Sequence, residues 1–289
     1  MRRFSYRHGA YFCLLVLAIF AAVIWIRIFS LSPQEILTVA VLDVGQGDSI
    51  YIRSPSGVEI VIDGGRGSSL LRELPKQMSF GDRTIDAIIA THPDEDHIGG
   101  LVDLVPRYRI LHFIEPGIFK DTAVARALQA EVDAAGIARS RGYRGMWLDL
   151  GGGVRLDILF PDFDVSELAS DKTNEGGIVA RLTYASTSML FMADVSTPVE
   201  NHLVEIEGEH LASDILKVGH HGSKYSSGES FLSIVAPQFA IISVGQNRYG
   251  HPTEEAIERI RAEGAELLRT DEEGTIVFTS DGTNFTRRD

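Results

Sequence analysis

His92-Pro93-Asp94-Glu95-Asp96-His97 sets four potential metal ligands, His92, Asp94, Asp96 and His97, within six residues, directly after the apolar run Ile85–Ala90 and just before Gly99-Gly100. A short run of β-formers of that kind predicts a buried strand. The string therefore lies at a strand's carboxyl end, where side chains from successive positions can converge on a small volume. Oxygen and imidazole donors at that density suit divalent metal ions. An acidic surface turn with incidental histidines is the bland alternative, and the apolar strand before it and the glycine pair after it weigh against that reading.

Outward from this string, Leu37–Val44, Ser49–Arg53 and Val58–Ile62 read as strands, the last two joined through Ser54-Pro55-Ser56-Gly57. Further strands are predicted at Val154–Leu159, Ile178–Tyr184, Met189–Met192, Ile215–Val218, Phe239–Val244, Leu267–Arg269 and Thr275–Thr279. Helices are predicted over Ser68–Met78, Thr122–Ala135, Pro198–Ile206, Glu229–Val235 and Thr253–Glu263, with Gly136 as a stop signal and Thr253 as an N-cap. A β-meander followed by β-α alternation fits an α/β fold of two sheets flanked by helices, with no internal repeat.

The N-terminus has a different character. Residues 1–30 hold Arg2, Arg3, Arg7 and Arg27 and no acid, so the remainder carries 23 basic against 40 acidic residues. An acidic body argues against generic, charge-driven adhesion to nucleic acid, although a local basic rim remains compatible with it. Ala10–Ile26 has no charge over 17 residues, which at about 1.5 Å per residue is slightly short of a hydrocarbon core. With Arg27 snorkelling and Trp25 at the interface, the expectation is an uncleaved transmembrane anchor over residues 1–32 and a hydrolase domain over 33–289. That arrangement is a single-pass protein of the cell membrane whose catalytic domain is extracytoplasmic. A cleaved signal peptide is the competing reading, disfavoured by Pro33 after the nearest small-residue triplet. The lone cysteine, Cys13, lies in this segment, so the rest of the chain offers no thiolate ligand.

The loop at 92–97 resembles the His-x-His-x-Asp-His motif of the metallo-β-lactamase superfamily, with Asp at its third position. Other strings make the chain similar to the hydrolase domain of the ComEC competence (DNA-internalisation) family: Leu42-Asp43-Val44-Gly45-Gln46-Gly47-Asp48-Ser49, Ile62-Asp63-Gly64-Gly65, Leu216-Lys217-Val218-Gly219-His220-His221-Gly222-Ser223 and Tyr249-Gly250-His251-Pro252. The resemblance covers about residues 38–280 and implies an αββα sandwich holding two divalent ions, zinc or manganese.

Carried over by position, the resemblance gives His92 and Asp94 to the first ion and Asp96 and His97 to the second. It makes Asp194 the bridging carboxylate and His220 the last histidine, with His221 as its rival or supporting partner. The first ion's third histidine is missing, since no histidine lies between His112 and His202; Asn174 stands near the expected place and offers a weak oxygen donor. Asp63 matches an aspartate that orients the histidine loop. Asp96, His221 and Lys217 form the expected catalytic set, and Lys217, Ser223, Lys224 and Asn247 are candidate phosphate donors or plain surface residues. Asp194 alone reads equally as a helix cap, and His251 either caps the last helix or faces substrate. Gly45-Gln46-Gly47-Asp48 and Gly151-Gly152-Gly153 lack a following Lys-Ser/Thr pair and read as tight turns.

Two such ions can activate a water and polarise a phosphoryl or acyl oxygen. The carboxylate-rich ligand set tilts preference from zinc toward manganese. The leading expectation is a phosphodiesterase acting on DNA outside the cytoplasmic membrane, in competence, with a separate membrane channel as partner. A lactam- or acyl-ester hydrolase is the alternative, and a metal-stabilised binding module without activity is a third class.

Overall fold

The computed structural model describes residues 2–30 and 36–288, with side chains described for 9–25 and 36–288. Internal contacts fall into two units, Met1–Gln34 and Glu35–Asp289. The first contains α1 (Arg2–Ser30). Among the described residues, no helix is long and apolar enough to cross a membrane. This overturns the expected single-pass anchor, and with it the inferred extracytoplasmic location. Its charge-free run spans only about 25 Å, against roughly 30 Å of hydrocarbon.

In chain order the second unit contains β1 (Leu37–Val41), β2 (Ile50–Arg53), β3 (Glu59–Ile62), α2 (Leu70–Gln77), β4 (Thr84–Ile89), α3 (Glu95–Leu104), β5 (Arg109–Glu115), α4 (Ala123–Ala134) and β6 (Ala138–Arg141). Next come β7 (Trp147–Asp149), β8 (Val154–Phe160), β9 (Val179–Tyr184), β10 (Thr187–Phe191), α5 (Thr197–Glu207), β11 (Ile215–Lys217) and α6 (Glu229–Val235). The chain closes with β12 (Phe239–Ile242), α7 (Glu254–Ala262), β13 (Glu266–Arg269), α8 (Thr270–Glu273), β14 (Ile276–Ser280) and β15 (Phe285–Arg288). One sheet runs β15-β14-β1-β2-β3-β4-β5-β6 and the other β13-β12-β11-β10-β9-β8-β7.

Alternation along the strands decides the layering, because successive side chains point to opposite faces. In β1, Val39 and Val41 join a core with Ile52 and Ile60 of their own sheet and with Leu156, Leu182 and Phe191 of the other. Their neighbour Ala40 packs instead with Leu74, Leu101 and Leu128 from α2, α3 and α4. On the far side, Leu190 and Leu216 pack with Leu203, Leu232 and Ile260 of α5, α6 and α7. The result is the expected helix–sheet–sheet–helix α/β sandwich, with both sheets covered. The expected N-cap Thr253 accepts from the Ala256 amide, as Thr122 does from Ala125. The expected loop at 92–97 continues into α3, which begins within the string at Glu95.

Strands β4 and β5 run parallel to β3, and β11, β12 and β13 run parallel to β10. Parallel strands bring their carboxyl ends to one edge, where ligands gather in open α/β sheets. α3 can approach that edge because it carries glycine where it meets the turn after β3: a Cβ on Gly100 would lie 2.1 Å from the Gly64 carbonyl oxygen. The intrinsic preference of a helix interior for Ala over Gly is about 1 kcal/mol. A backbone oxygen at that separation cannot yield as a flexible side chain would, and overpacking costs about 1–3 kcal/mol. Gly100→Ala should therefore lose up to about 2 kcal/mol in urea unfolding; a more stable variant would show that α3 is not held by this contact.

Candidate metal centre

Asp63 follows β3 in the left-handed region, at φ 58°. Its buried carboxylate accepts from the Thr91 amide (2.8 Å) and the Thr91 hydroxyl (2.6 Å), and from His97 Nδ1 (2.8 Å). The Thr91 oxygen in turn lies 3.1 Å from His92 Nδ1. With the hydroxyl proton given to Asp63, that oxygen accepts from His92. Both histidines then carry their proton on Nδ1 and keep a lone pair on Nε2. Their rings lie 4.0 Å apart, centroid to centroid.

The opposite wall comes from the second sheet. Asp194 follows β10, and the preceding Ala193 has φ 47°. The Ala193 carbonyl accepts from the His220 amide (3.0 Å), which ties this turn to the loop after β11. His220 and His221 both adopt left-handed backbone angles, φ 48° and 52°, a costly conformation for side-chain-bearing residues that concentrates at functional sites. That turn points His221 inward. Its Nδ1 donates to the Ser243 carbonyl (3.0 Å) and lies 3.3 Å from Asp48 Oδ1. Its Nε2 lies 3.4 Å from Asp194 Oδ2 and 3.6 Å from Asp96 Oδ2. His97 Nε2 is 3.3 Å from the other Asp194 oxygen. Asp194 thus stands between the two histidines, one oxygen toward each.

His92 Nε2, His97 Nε2, His221 Nε2 and Asp194 Oδ1 are buried without a hydrogen-bond partner among the described residues. Buried polar atoms are nearly always satisfied, so four that face one cluster call for a group the polypeptide does not supply. Ligand atoms of His92, His97 and Asp194 lie within 4.8 Å of one another, as do those of Asp96, His97 and His221. Burial alone would keep His97 and His221 neutral, but Asp194 overrides it and holds both well above the ordinary histidine range. Burial likewise opposes the charge on Asp96, yet His221 and His97 bring its pKa to about 2. His92 shifts down through burial and the neighbouring His97. Carboxylates that draw protons onto facing imidazoles are compensated equally by a divalent cation, with release of those protons. The donor set fits such an ion.

Several expected residues sit elsewhere. Asp94 joins none of these convergent groups: its carboxylate accepts from Lys120 Nζ (2.8 Å) and the Thr173 hydroxyl (2.6 Å), at the start of α3. His220 is half-buried, with Nε2 4.0 Å from Asp194, so the structure turns its rival His221 into the cluster. His251 meets His220 edge to face at 5.4 Å, while the cap of α7 is Thr253. Asn174 lines a cleft of about 460 Å³ with Asp94, Lys120, His220 and Tyr225. The supposed phosphate donor Lys217 is fully buried, its ammonium 2.6 Å from Asp48 and 2.9 Å from the Val218 carbonyl. The Asn247 side chain is consumed by its own turn, accepting from the Tyr249, Gly250 and His251 amides. Ser223 is buried as well; of the four proposed donors only Lys224 is exposed.

Asp48, read as part of a tight turn, is a central residue of the site. Burial pushes its pKa up, but Lys217 and His221 hold it far below the carboxylate range. It couples the ammonium of β11 to the ring of His221.

Comparison with known proteins agrees with this architecture. The chain is 30% identical over 262 residues to ComE operon protein 3 of Bacillus subtilis, covering 83% of this chain and 32% of the relative. It is 31% identical over 249 residues to the competence protein ComA of Neisseria gonorrhoeae, covering 85% and 33%. The chain thus spans about a third of the length of these curated relatives. Among solved structures, the diiron β-hydroxylase CmlA of Streptomyces venezuelae aligns with a TM-score of 0.54 at 12% identity, covering 89% of this chain and 55% of that one. Zn(2+)-bound PqqB of Methylobacterium extorquens aligns at 0.53 and 11%, covering 82% and 99%. At such identities these structures speak to the fold alone. The model of the metallo-beta-lactamase superfamily matches residues 42–246, a span that holds every residue of the buried cluster, and on that match the chain belongs to this superfamily.

Proposed function

We propose that this chain is a metal-dependent phosphodiesterase that cleaves DNA in the service of DNA uptake. The observation that carries the reading is the set of unpartnered ligand atoms on His92, His97, His221 and Asp194, in a chain about 30% identical to competence proteins. Asp96, His97 and His221 would hold one ion and His92 would face a second, with Asp194 shared between them. Zinc or manganese bound there would polarise a phosphoryl oxygen and lower the pKa of an attacking water. Asp63 fixes the proton position of His97 directly and that of His92 through Thr91, and the Ser243 carbonyl and Asp48 do the same for His221. Substrate would enter through the cleft beside Asp94 and His220. Passage of the strand through a membrane would fall to the expected channel partner.

A second reading has one observation in its favour. A second cleft of about 560 Å³, lined by His92, Pro93, Ile98, Ile118 and Phe119, also borders the cluster at His92. Its apolar walls suit the acyl part of a lactam or ester better than a phosphodiester.

Elemental analysis of purified variants tests the ligand assignment. Asp194→Ala should lose more metal than any single-ion ligand variant, and His221→Ala should hold less than His220→Ala, with the circular dichroism of each retained. Wild-type metal content in Asp194→Ala would remove that residue from the centre, and the reverse order for the two histidines would reinstate His220.

The reaction is tested by chelating the protein and restoring zinc or manganese before parallel assays on single-stranded DNA, duplex DNA, bis(p-nitrophenyl) phosphate and a chromogenic lactam. Phosphodiester cleavage that depends on added metal is the expected result. Turnover of the lactam alone would replace this proposal with the acyl-hydrolase reading.

A further inference from the structure

Two short loops flank His220 at the mouth of the cleft, and each ends in a cation followed by a tyrosine: Lys224-Tyr225 and Arg248-Tyr249. Tyr225 is 64% exposed and Tyr249 67%. Exposed aromatic side chains occur elsewhere on the surface, but Tyr225 lies beside His220 and Tyr249 beside His251. Tyr225 shares the cleft with His220. The Tyr249 ring lies 5.9 Å from His251, whose ring lies 5.4 Å from His220. The series from Tyr249 through His251 to His220 therefore runs from solvent to the neighbour of His221.

Lys224 is placed with its tyrosine, and Arg248 adjoins the other in sequence. Lys224 Nζ lies 5.1 Å over the Tyr225 ring. Neither Lys224 nor Arg248 forms an ion pair among the described residues, whereas Lys120 and Lys172 in the same cleft are taken by Asp94 and Glu175. In a body with a strong excess of acid, two cations without a carboxylate partner among the described residues, each next in sequence to an exposed tyrosine, form a local exception to the overall charge.

Both loops are rigid before anything binds. Asn247 ties the second through three backbone amides. The first is gripped from two sides. The buried Glu200 carboxylate accepts from the Ser227 and Gly228 amides, and Arg259 donates to the carbonyls of Lys224, Ser226 and Ser227. Binding then spends little on ordering the loops.

We infer that Tyr225 and Tyr249 are stacking platforms for unpaired nucleobases, with Lys224 and Arg248 on the flanking phosphates, so that the centre selects single-stranded over duplex nucleic acid. Rings that lie open to solvent beside cations suit unstacked bases, because every base offers a π-face and a duplex hides it. The inference rests on the phosphodiesterase reading and specifies its substrate.

The test is fluorescence anisotropy of the full chain with a cleavage-resistant phosphorothioate dT oligomer and with a duplex of equal length. Wild type should prefer the single strand. Tyr225→Ala with Tyr249→Ala should weaken single-strand binding by at least about 25-fold, since each stacked base contributes on the order of 5- to 150-fold. The corresponding double Phe variant should bind as wild type. Lys224→Gln with Arg248→Gln should flatten the salt dependence by about 1.4 logarithmic units per decade. Wild-type affinity in the double Ala variant, or equal affinity of wild type for both forms, would overturn the inference. Metal-dependent hydrolysis of bis(p-nitrophenyl) phosphate by wild type judges the underlying reading separately: its absence would sink the phosphodiesterase, while the anisotropy still decides whether the platform exists.

Discussion

The Asp63 carboxylate accepts three hydrogen bonds in a space closed to water, and the centre depends on them. A buried charge is tolerated only where donors surround it, and these donors are the residues that must be oriented: Thr91 at the end of β4 and His97 in α3. A single negative charge, held at the end of β3 by a left-handed backbone, thereby fixes the start of the ligand string and its last member. It also sets the side of each imidazole on which a lone pair remains. Removing it would strand three donors and leave both rings without their fixed partners, so its influence reaches beyond its own contacts.

A similar anchor in the same sheet reaches across to the other one. Asp48 takes the Lys217 ammonium and approaches His221, and its amide bonds to the Asp96 carbonyl. The turn before β2 is thus linked to β11, to the inward histidine and to the ligand loop. Close approach makes the link: a Cβ on Gly47 would lie 2.0 Å from the Asp96 carbonyl oxygen. The buried Lys–Asp pair adds little net stability, since desolvation offsets much of its attraction. Its worth lies in geometry, because breaking either partner leaves a charge with nowhere to go.

Much of this was legible from local pattern and some of it was not. Short apolar runs of β-formers in β1, β4 and β9 and the cap Thr253 are properties of neighbouring residues, and they indicated the two sheets and their helices. The ligand string stood out by its density alone. Short polar strands such as β6 and β7, and β15 near the end of the chain, gave no alternation long enough to read. The start of α3 was hidden because its first turn is also the ligand string. Side-chain partners were hidden by distance along the chain: Asp94 is claimed by Lys120 and Thr173, 26 and 79 residues away, and Asp48 by Lys217, 169 residues away. The choice between His220 and His221 turned on two consecutive left-handed residues, which no side-chain pattern announces.

The rim loops hold their shape through backbone amides and carbonyls, gripped by Asn247, Glu200 and Arg259, and not through the side chains they display. Positions 224, 225, 248 and 249 can therefore be exchanged with little effect on the conformation that presents them. The domain behaves as a chassis with interchangeable fittings. Its reactive interior is bound into the two sheets, while the surface that meets a substrate can be rewritten residue by residue. A fold made this way can change what it recognises without rebuilding where it reacts.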